Sequence, residues 1–433
     1  MNPLRYVLFL CGQLGMMALA RFFFQWLLRF ADSETAQGHL FAASAVGATF
    51  LAFRVFDGVT DPVAGALSDG WAKRGRQRRS LLWFSFAIPS VGMILLFAPD
   101  ADMGSGLRWL LLASGMLVFF IGYTLYAIPY WSLLGDYAQG EPRVRSTLSN
   151  LLGAGALIAT ALGFVLSPML VEKLGFFRAA VCFALPAAAL MILPYWAKPP
   201  DTSAAASRSS TPEQPDAGGG MAGFKMAFAD RRFLAVVLLF AGGQMSFTVM
   251  TAAAPYIAVE LLGGELSDVA KLLGPFLLSA IPCFVFVPRF SRRVGWEKSV
   301  IYASCALAVA YAGTGGLGQA LVGTPMVSAM LLFSLAGPMA AVLLGLEAEA
   351  VAACAQERPG EVTSIYFGVY NLVVKALNGA AMTVTGVLAD AASTHGTIAV
   401  RAMGFCAGGV LVVGVLVYAA VKPRRAPNLE PVS

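Results

Sequence analysis

The sequence predicts an all-α integral membrane protein in which twelve transmembrane helices form two six-helix bundles. Of the 433 residues, 58% are hydrophobic and only 12% are charged, and the mean hydropathy is +0.72. This composition is incompatible with a water-soluble chain. Twelve apolar stretches are long enough to cross a hydrocarbon layer of about 30 Å, which takes roughly 20 helical residues.

The predicted spans fall into two sets around a polar stretch. The first bundle is predicted over residues 1–197 and the second over 233–421, with a cytoplasmic linker at 198–232 and a cytoplasmic tail at 422–433. The linker is rich in Pro, Ser, Ala and Gly, which is typical of a flexible connection. Within it, residues 221–230 are interpreted as a plain tether, with a short amphipathic surface helix as the alternative. The predicted spans are 6–30, 39–68, 80–98, 107–137, 147–171, 176–197, 233–262, 268–290, 299–319, 325–351, 361–390 and 400–421.

Lysine and arginine are unevenly distributed between the two sets of loops. With the amino terminus inside the cell, 21 of the 30 lie in cytoplasmic segments and 6 lie on the opposite side. Because cytoplasmic loops carry the excess of positive charge, this ratio predicts both termini in the cytoplasm. The same distribution accounts for the net charge of +6, so no nucleic-acid partner is expected.

The two halves resemble each other. The second span ends in GALSD and is followed by KRGRQRR, and the eighth span is followed by PRFSRRVGWEK. Paired six-helix repeats with a basic loop after the second helix of each are typical of transporters whose halves move about a central site. The sequence therefore predicts a transporter of the major facilitator type, a monomer in a cell membrane of the bacterial inner-membrane type, whose partners are a small solute and the surrounding lipid.

Histidine and cysteine are too few and too scattered for most metal or catalytic sites. The two histidines are His39 and His395, and the six cysteines show no CxxC or Cys/His spacing. We therefore expect no enzyme, no zinc or haem site and no cofactor other than a coupling ion.

Two carboxylates lie one helical turn apart inside the second span. Asp57 and Asp61, in the segment DGVTDP, share one helix face. Two carboxylates so close in a low dielectric repel each other, which favours binding of a proton or a small hard cation. Together with the hydroxyl of Thr60 they suit Na⁺ as well as H⁺. The alternative is that one of them only pairs with Arg54 for stability.

Lys375 is an isolated cation deep inside the eleventh span. It lies about 21 Å from the cytoplasmic end of its helix at 1.5 Å per residue, and Asp57 lies about 17 Å from the same end of its own helix. The depths agree well enough for the two to meet between the halves. Cation binding would then release the lysine and alter the contact between the bundles; snorkelling to an interface is the alternative.

The other charged residues in or near spans have less specific interpretations. Arg21 either snorkels to the outer surface or meets an anionic or hydroxylated group of the solute. Acidic side chains at the inner ends of spans are interpreted as interfacial residues facing basic loops, with a gating salt bridge as the alternative. These acidic residues are Asp69, Asp136, Glu347 and Glu349.

Three segments carry a resemblance to a known family. RVFDGVTDPVAGALSD begins at Arg54, YTLYAIPYWSLLGDY begins at Tyr123, and YFGVYNLVVK ends at Lys375. In order and spacing they resemble the second-, fourth- and eleventh-helix signatures of the glycoside-pentoside-hexuronide:cation symporters, the family that includes melibiose permease. With the twelve spans, the resemblance covers nearly the whole chain.

The resemblance implies roles for individual residues. The cation site of the family corresponds to Asp57, Asp61 and Thr124, with Thr60 in place of an asparagine, and the coupling lysine corresponds to Lys375. Trp131 corresponds to the tryptophan that stacks on the substrate. The sugar-binding aspartate of the fourth helix is replaced by Ala127, so the resemblance supports a coupled carrier more firmly than it supports a galactoside.

The expected function is cation-coupled symport of a sugar or glycoside-like solute by alternating access. Na⁺ or H⁺ would occupy Asp57 and Asp61, and aromatic residues would line the solute site. A proton-driven exporter, a lysophospholipid-type carrier of the same fold and a non-transporting receptor or assembly factor are the alternatives. The aromatic residues expected to contact the solute are Tyr123, Tyr126, Tyr130 and Trp131.

Overall fold

The protein is helical along almost all of its described length. The computed structural model describes residues 2–35, 38–139, 141–198, 221–318, 323–356 and 363–421. Apart from helices, these residues contain one small antiparallel hairpin, in which strand β1 (Glu34–Thr35) pairs with strand β2 (Gly38–His39). The tail predicted at 422–433 and most of the predicted linker lie outside the described residues.

The first half of the chain contains seven described α-helices. A π-helical turn at Leu162–Leu166 joins the last two of them. Gly175 interrupts the final helix with φ of 75° and ψ of 169°, a conformation that glycine adopts at little cost. This break lies between the predicted fifth and sixth spans. The helices are α1 (Pro3–Ala31), α2 (Ala43–Lys73), α3 (Ser80–Ser85), α4 (Ile88–Leu96), α5 (Ser105–Ala138), α6 (Pro142–Ala161) and α7 (Ser167–Ile192).

The second half also contains seven described α-helices. The interpretation of the 221–230 segment as a plain tether is wrong, because Met221–Ala229 forms a helix. Ala227 of this helix is fully buried, so the helix gains stability by packing on its neighbours. The helices are α8 (Met221–Ala229), α9 (Arg231–Tyr256), α10 (Val269–Val294), α11 (Trp296–Thr314), α12 (Pro325–Gln356), α13 (Thr363–His395) and α14 (Thr397–Val421).

Eight helical segments of the described residues are long and apolar enough to cross a bilayer. One of them, Arg143–Ala197, has 55 residues and contains the break at Gly175. The chain is therefore a multi-pass membrane protein. Helix α2 is not among the eight, since it carries several charged residues along its length.

The two halves of the chain meet along α2 and α13. At Gly47 of α2, a Cβ atom would lie 2.7 Å from Thr383 Cα on α13, and at Gly379 of α13 a Cβ atom would lie 2.8 Å from Leu51 Cα on α2. Only glycine allows the two backbones to approach this closely. The close packing places the charged residues in the middle of α2 directly opposite α13.

Candidate functional site

Four charged side chains from the two halves form one cluster. Lys375 Nζ on α13 lies 2.5 Å from Asp61 Oδ2 and 3.0 Å from Asp57 Oδ2, both on α2. Arg54 Nη1, one turn before Asp57, lies 2.8 Å from the same Asp57 oxygen. Asp57 is only 1% exposed. We call these four residues the charge quartet.

Thr124 on α5 completes the polar cluster, whereas Thr60 does not. Thr124 Oγ1 donates to Asp57 Oδ1 at 2.6 Å and lies 3.3 Å from Asp61 Oδ1. The hydroxyl of Thr60 instead donates to the backbone carbonyl of Asp57 at 3.1 Å. Three of the four residues predicted to form a cation site thus meet, and in this conformation the fourth turns back on its own helix.

The charge quartet contains two positive and two negative groups. Buried ions are tolerated when each has a close opposite charge, since removing one partner leaves a charge uncompensated in a low dielectric. The quartet is balanced in this conformation. An additional monovalent cation would give it an excess of one positive charge unless Lys375 withdrew. Lys375 therefore occupies the place that a cation on Asp57 and Asp61 would need.

Of the two positive groups, Arg54 is held within the first half. Its guanidinium carbon lies 5.4 Å from the ring centroid of Phe24, 6.0 Å from that of Phe50 and 5.6 Å from that of Phe120. Cation–π contacts of this kind favour a fixed guanidinium in an apolar setting. Lys375 reaches the carboxylates from the other half, so relative movement of the halves would separate Lys375, and not Arg54, from Asp57.

The aromatic residues of α5 differ in their accessibility. Tyr126 and Tyr130 are fully buried, and their hydroxyls donate to the backbone carbonyls of Met191 at 2.6 Å and Phe9 at 2.7 Å. In this conformation both pack against neighbouring helices and have no surface open to a solute.

Trp131 is partly exposed, and both Trp131 and Tyr123 have polar partners that a solute could replace. Trp131 is 38% exposed, and its Nε1 donates to Gln13 Oε1 at 3.1 Å. Tyr123 is half-buried and places its hydroxyl 4.0 Å from Met17 Sδ. Trp131 is thus the predicted aromatic contact with the most open surface.

Arg21 lies between the two halves and does not extend to the outer surface. Its Nε donates to Thr160 Oγ1 on α6 at 3.0 Å, and its guanidinium carbon lies 5.7 Å from the ring centroid of Phe247 on α9. Among the described residues, no carboxylate lies within ion-pair distance of it. The geometry leaves the guanidinium available to an anionic or hydroxylated group.

The acidic residues at the predicted inner ends of spans, interpreted as interfacial residues with gating as the alternative, separate into two groups. Asp69 and Asp136 meet on one loop arginine, with Arg78 Nη2 2.7 Å from Asp69 and Arg78 Nη1 3.0 Å from Asp136. Glu347 contacts Gln244 and Tyr370 of its own half, not a basic loop. The side chain of Glu349 lies outside the described residues.

A second set of contacts between the halves lies at the end of the bundle that carries the β1–β2 hairpin. We call this the hairpin end, and the opposite end, marked by Arg78, the basic-loop end. Arg29 Nη1 lies 2.6 Å from Glu260 Oε1. Asp390 at the end of α13 accepts hydrogen bonds from the backbone N–H groups of Ala43 at 2.7 Å and Ser44 at 3.0 Å. Sequence reasoning missed these residues, although acidic residues at the span ends farthest from the basic loops were a usable signal.

The exposure of α2 differs between its two faces. Val55, Val59 and Val63 on one face are 40%, 59% and 66% exposed, whereas Asp57 and Ser68 on the opposite face are each 1% exposed. The face that carries Asp57 is thus covered as far as the basic-loop end of the helix.

Long apolar helices, with ion pairs that join the two halves of the chain inside them, are typical of membrane transporters. The family of MFS/sugar transport proteins matches residues 8–417. The chain therefore belongs to this family.

Curated relatives match only part of the chain. It is 27% identical to the putative glycoside/cation symporter YagG of Escherichia coli (strain K12) over 158 residues. This match covers 35% of this chain and 34% of YagG. It is 29% identical to the uncharacterized symporter YjmB of Bacillus subtilis (strain 168) over 135 residues. This match covers 30% of this chain and 28% of YjmB. The matched stretch spans about a third of each relative's length.

Two solved transporters share the overall fold. The nucleoside transporter NupG superposes with a TM-score of 0.67 at 14% identity, covering 98% of this chain and 100% of NupG. A bacterial homolog of the human lysosomal transporter Spinster, in an inward-facing and unoccupied conformation, superposes with a TM-score of 0.66 at 13% identity, covering 98% of each chain. At these identities the likeness concerns the fold alone.

Proposed function

We propose that the protein is a cation-coupled symporter of a sugar or glycoside-like solute, driven by Na⁺ or H⁺. The observation that carries this proposal is the ion pair between Lys375 on α13 and the carboxylates of Asp57 and Asp61 on α2, at 3.0 Å and 2.5 Å. It joins the two halves through the groups best suited to bind a cation. The names of the partial relatives YagG and YjmB, which describe symporters, are consistent with it.

The proposed topology has twelve spans with both termini in the cytoplasm. The excess of lysine and arginine then lies on the cytoplasmic side, which makes the basic-loop end cytoplasmic and the hairpin end external. In this orientation the contacts of Arg29 with Glu260 and of Asp390 with α2 close the outer side.

Coupling follows from competition between Lys375 and the cation. In the outward-open state, a cation on Asp57 and Asp61 replaces the ammonium group and releases α13 from α2. The solute then binds between the halves, and closure of the outer side delivers both ligands inward. Each ligand must favour binding of the other by the same factor. Once the cation leaves, Lys375 returns to the carboxylates, and the ion pairs of Lys375 with Asp57 and Asp61 support this step.

The solute site is proposed to lie beside Trp131 and Arg21. The indole of Trp131 is partly open, and a flat aromatic surface suits the apolar face of a pyranose ring. Arg21 can donate several hydrogen bonds to hydroxyl or carboxylate oxygens. A solute with a ring and several oxygen atoms, such as a glycoside or a hexuronide, fits both.

The direct test is a thermal-stability screen of the purified protein against hexoses, pentoses, methyl glycosides, hexuronides, organic acids and lysolipids. Each would be measured with Na⁺, with K⁺ and at several pH values. We expect a glycoside-type ligand whose stabilisation increases with Na⁺ or with acid. Counterflow of that ligand in proteoliposomes should show the same cation dependence. Stabilisation by lysolipids alone, or with no response to any cation, would reject the proposal.

Thr124 provides a test of the cation site that leaves all charges in place. Thr124→Ala removes the hydroxyl that donates to Asp57 Oδ1 at 2.6 Å, and hydrogen bonds to charged groups contribute about 1.5–3 kcal/mol. We expect the cation concentration for half-maximal thermal stabilisation to rise roughly tenfold or more. Thr124→Ser keeps the hydroxyl and should stay near the wild-type value. An equal shift in both variants would assign Thr124 to packing instead.

Asp32 gives the hairpin end a dependence on pH. Burial raises the pKa of Asp32 to about 6, although His39 and Arg29 lower it; Glu260 and Asp390 raise it further. If opening of the outer side hydrates Asp32, its pKa returns toward the ordinary value of about 3.9. The closed form then holds a proton that the open form releases between these two values. Lowering the pH through about 6 therefore favours closure, by roughly tenfold at pH 5.

Spin-label distances across the hairpin end would measure this effect. Labels at the exposed positions Ser105 and Thr397, in a chain whose native cysteines are replaced, report the separation of the two halves. The short-distance population should increase between pH 7 and pH 5. In Asp32→Asn it should be large at both pH values, because the neutral amide resembles the protonated acid. Retention of the pH response in that variant would assign it to another group.

A further inference from the structure

A second carboxylate lies inside the C-terminal half, away from the charge quartet. Glu347 on α12 accepts a hydrogen bond from Gln244 Nε2 on α9 at 2.7 Å and another from the hydroxyl of Tyr370 on α13. Side chains from two other helices thus hold this carboxylate in place. Among the described residues, no lysine, arginine or histidine lies within ion-pair distance of it.

An acidic group inside a membrane protein without a basic partner is unusual. Such groups are expensive to bury and commonly mark a ligand or ion pathway. A carboxylate can accept about four hydrogen bonds, and two donors are described for Glu347. The remaining acceptor positions have no donor among the described residues.

Glu347 borders a cavity inside the second half. The cavity is lined only by residues of this half, among them Phe240, Gln244, Phe247 and Leu343 together with Glu347. The ring of Phe247 lies 5.7 Å from the guanidinium carbon of Arg21 in the first half. Gln244 lies near the middle of α9. The cavity is therefore at mid-depth, and Phe247 connects it to Arg21 in the region proposed for the solute.

The two halves carry similar polar pairs at this depth. In the first half Gln13 on α1 bonds to Trp131 on α5, and in the second half Gln244 on α9 bonds to Glu347 on α12. In each half, a glutamine on the first long helix meets a functional side chain on a later one. Solutes of transporters built from repeats bind between the repeats, near the midplane.

We propose that Glu347, positioned by Gln244 and Tyr370, forms the C-terminal half's part of the solute site and accepts hydrogen bonds from a hydroxyl or ammonium group. This inference rests on the proposed function and names the group that recognises the solute from the second half. A polyhydroxylated or aminated ring is then held between Trp131 and Glu347.

The same arrangement connects the solute to the charge quartet. Helix α13 carries Tyr370, which donates to Glu347, and Lys375, which pairs with Asp61. On the same helix, Asn378 Oδ1 lies 3.2 Å from Thr248 Oγ1 of α9. A ligand that moves Glu347 therefore acts on the helix whose lysine competes with the cation.

The test compares Glu347→Gln with the wild type, using methyl glucoside, glucosamine and a series of monodeoxy methyl glucosides as probes. Binding is measured by thermal stabilisation and by counterflow. For the probe that the wild type binds, we expect Glu347→Gln to weaken affinity by roughly ten- to a hundredfold, as for loss of a hydrogen bond to a charged group. Glu141→Gln, which changes an exposed carboxylate, should leave affinity unchanged.

A double-mutant cycle identifies the contact. One deoxy analogue, or the replacement of the amine by a hydroxyl, should weaken binding to the wild type but cause little further loss in Glu347→Gln. Equal losses in both proteins would overturn the assignment. Unchanged affinity in Glu347→Gln with an altered pH dependence of transport would also overturn it, in favour of a proton-binding role.

Tyr370→Phe keeps the test valid if Glu347→Gln fails to fold. This variant removes one donor to the carboxylate and should weaken probe affinity several-fold, whereas an unchanged affinity contradicts the proposal. Saturable probe binding that does not depend on Na⁺ or pH would reject the symport mechanism. The comparison of the variants would still decide the role of Glu347. Absence of binding by every hydroxylated or aminated probe to the wild type would overturn both.

Discussion

Asp61→Asn is expected to abolish cation-driven accumulation while leaving solute exchange measurable. The substitution leaves Asp57 alone with Arg54 and Lys375, so the cluster already carries an excess positive charge. A third cation has no carboxylate left to bind. One monovalent cation moving through a potential of 100 mV supplies about 2.3 kcal/mol, which corresponds to a solute gradient of roughly fiftyfold. In the variant this gradient should fall to about one.

The measurement uses proteoliposomes with an imposed Na⁺ or pH gradient and the solute identified by the thermal screen. Accumulation of the solute against its own concentration gradient should disappear in Asp61→Asn. Counterflow measured without an imposed ion gradient should persist but should no longer respond to Na⁺ or pH. Asp102→Asn, which neutralises an exposed loop carboxylate, is the matched control and should behave as the wild type. Accumulation at the wild-type level in Asp61→Asn would show that the coupling ion binds elsewhere.

Much of the charge quartet could be predicted from the sequence because ionisable residues are rare in apolar helices. The spacing of Asp57 and Asp61 defines one helix face, and the depth of Lys375 along its helix matches that of Asp57. These are one-dimensional properties. The close approach of α2 and α13 that joins them is also encoded locally, by glycines such as Gly47.

Other features depend on which helix lies beside which, and this is not readable along one chain. Thr60 has the right residue type for a cation ligand, yet its hydroxyl bonds to the carbonyl of Asp57 on its own helix, a common choice for threonine in helices. Tyr126 has the right residue type for stacking, yet it fills space between helices. The position of Glu347 near the end of a predicted span suggested a contact with a loop. Its partners instead come from α9 and α13, more than 20 residues away on either side.

Lys375→Ala is expected to convert a balanced cluster into one that needs a cation. Without the ammonium group, Asp57 and Asp61 face only Arg54, and the cluster carries one excess negative charge. Breaking a buried ion pair by removing one partner costs about 3–5 kcal/mol. A bound Na⁺ or proton would offset this cost, because it occupies the place left by the lysine. The variant should therefore be markedly less stable than the wild type in Na⁺-free buffer at high pH.

Thermal unfolding across a range of Na⁺ concentrations and pH values measures this dependence directly. In Lys375→Ala the concentration of cation for half-maximal stabilisation should fall at least tenfold, since the internal competitor is gone. Accumulation of the solute should nevertheless be lost, because a cation that stays bound in both conformations no longer couples its gradient to the solute. Lys298→Ala removes an exposed lysine and should change neither property. Equal cation sensitivity in Lys375→Ala and the wild type would mean that Lys375 does not compete for the carboxylates, and the ion pair between α13 and α2 would then serve only to hold the two halves together.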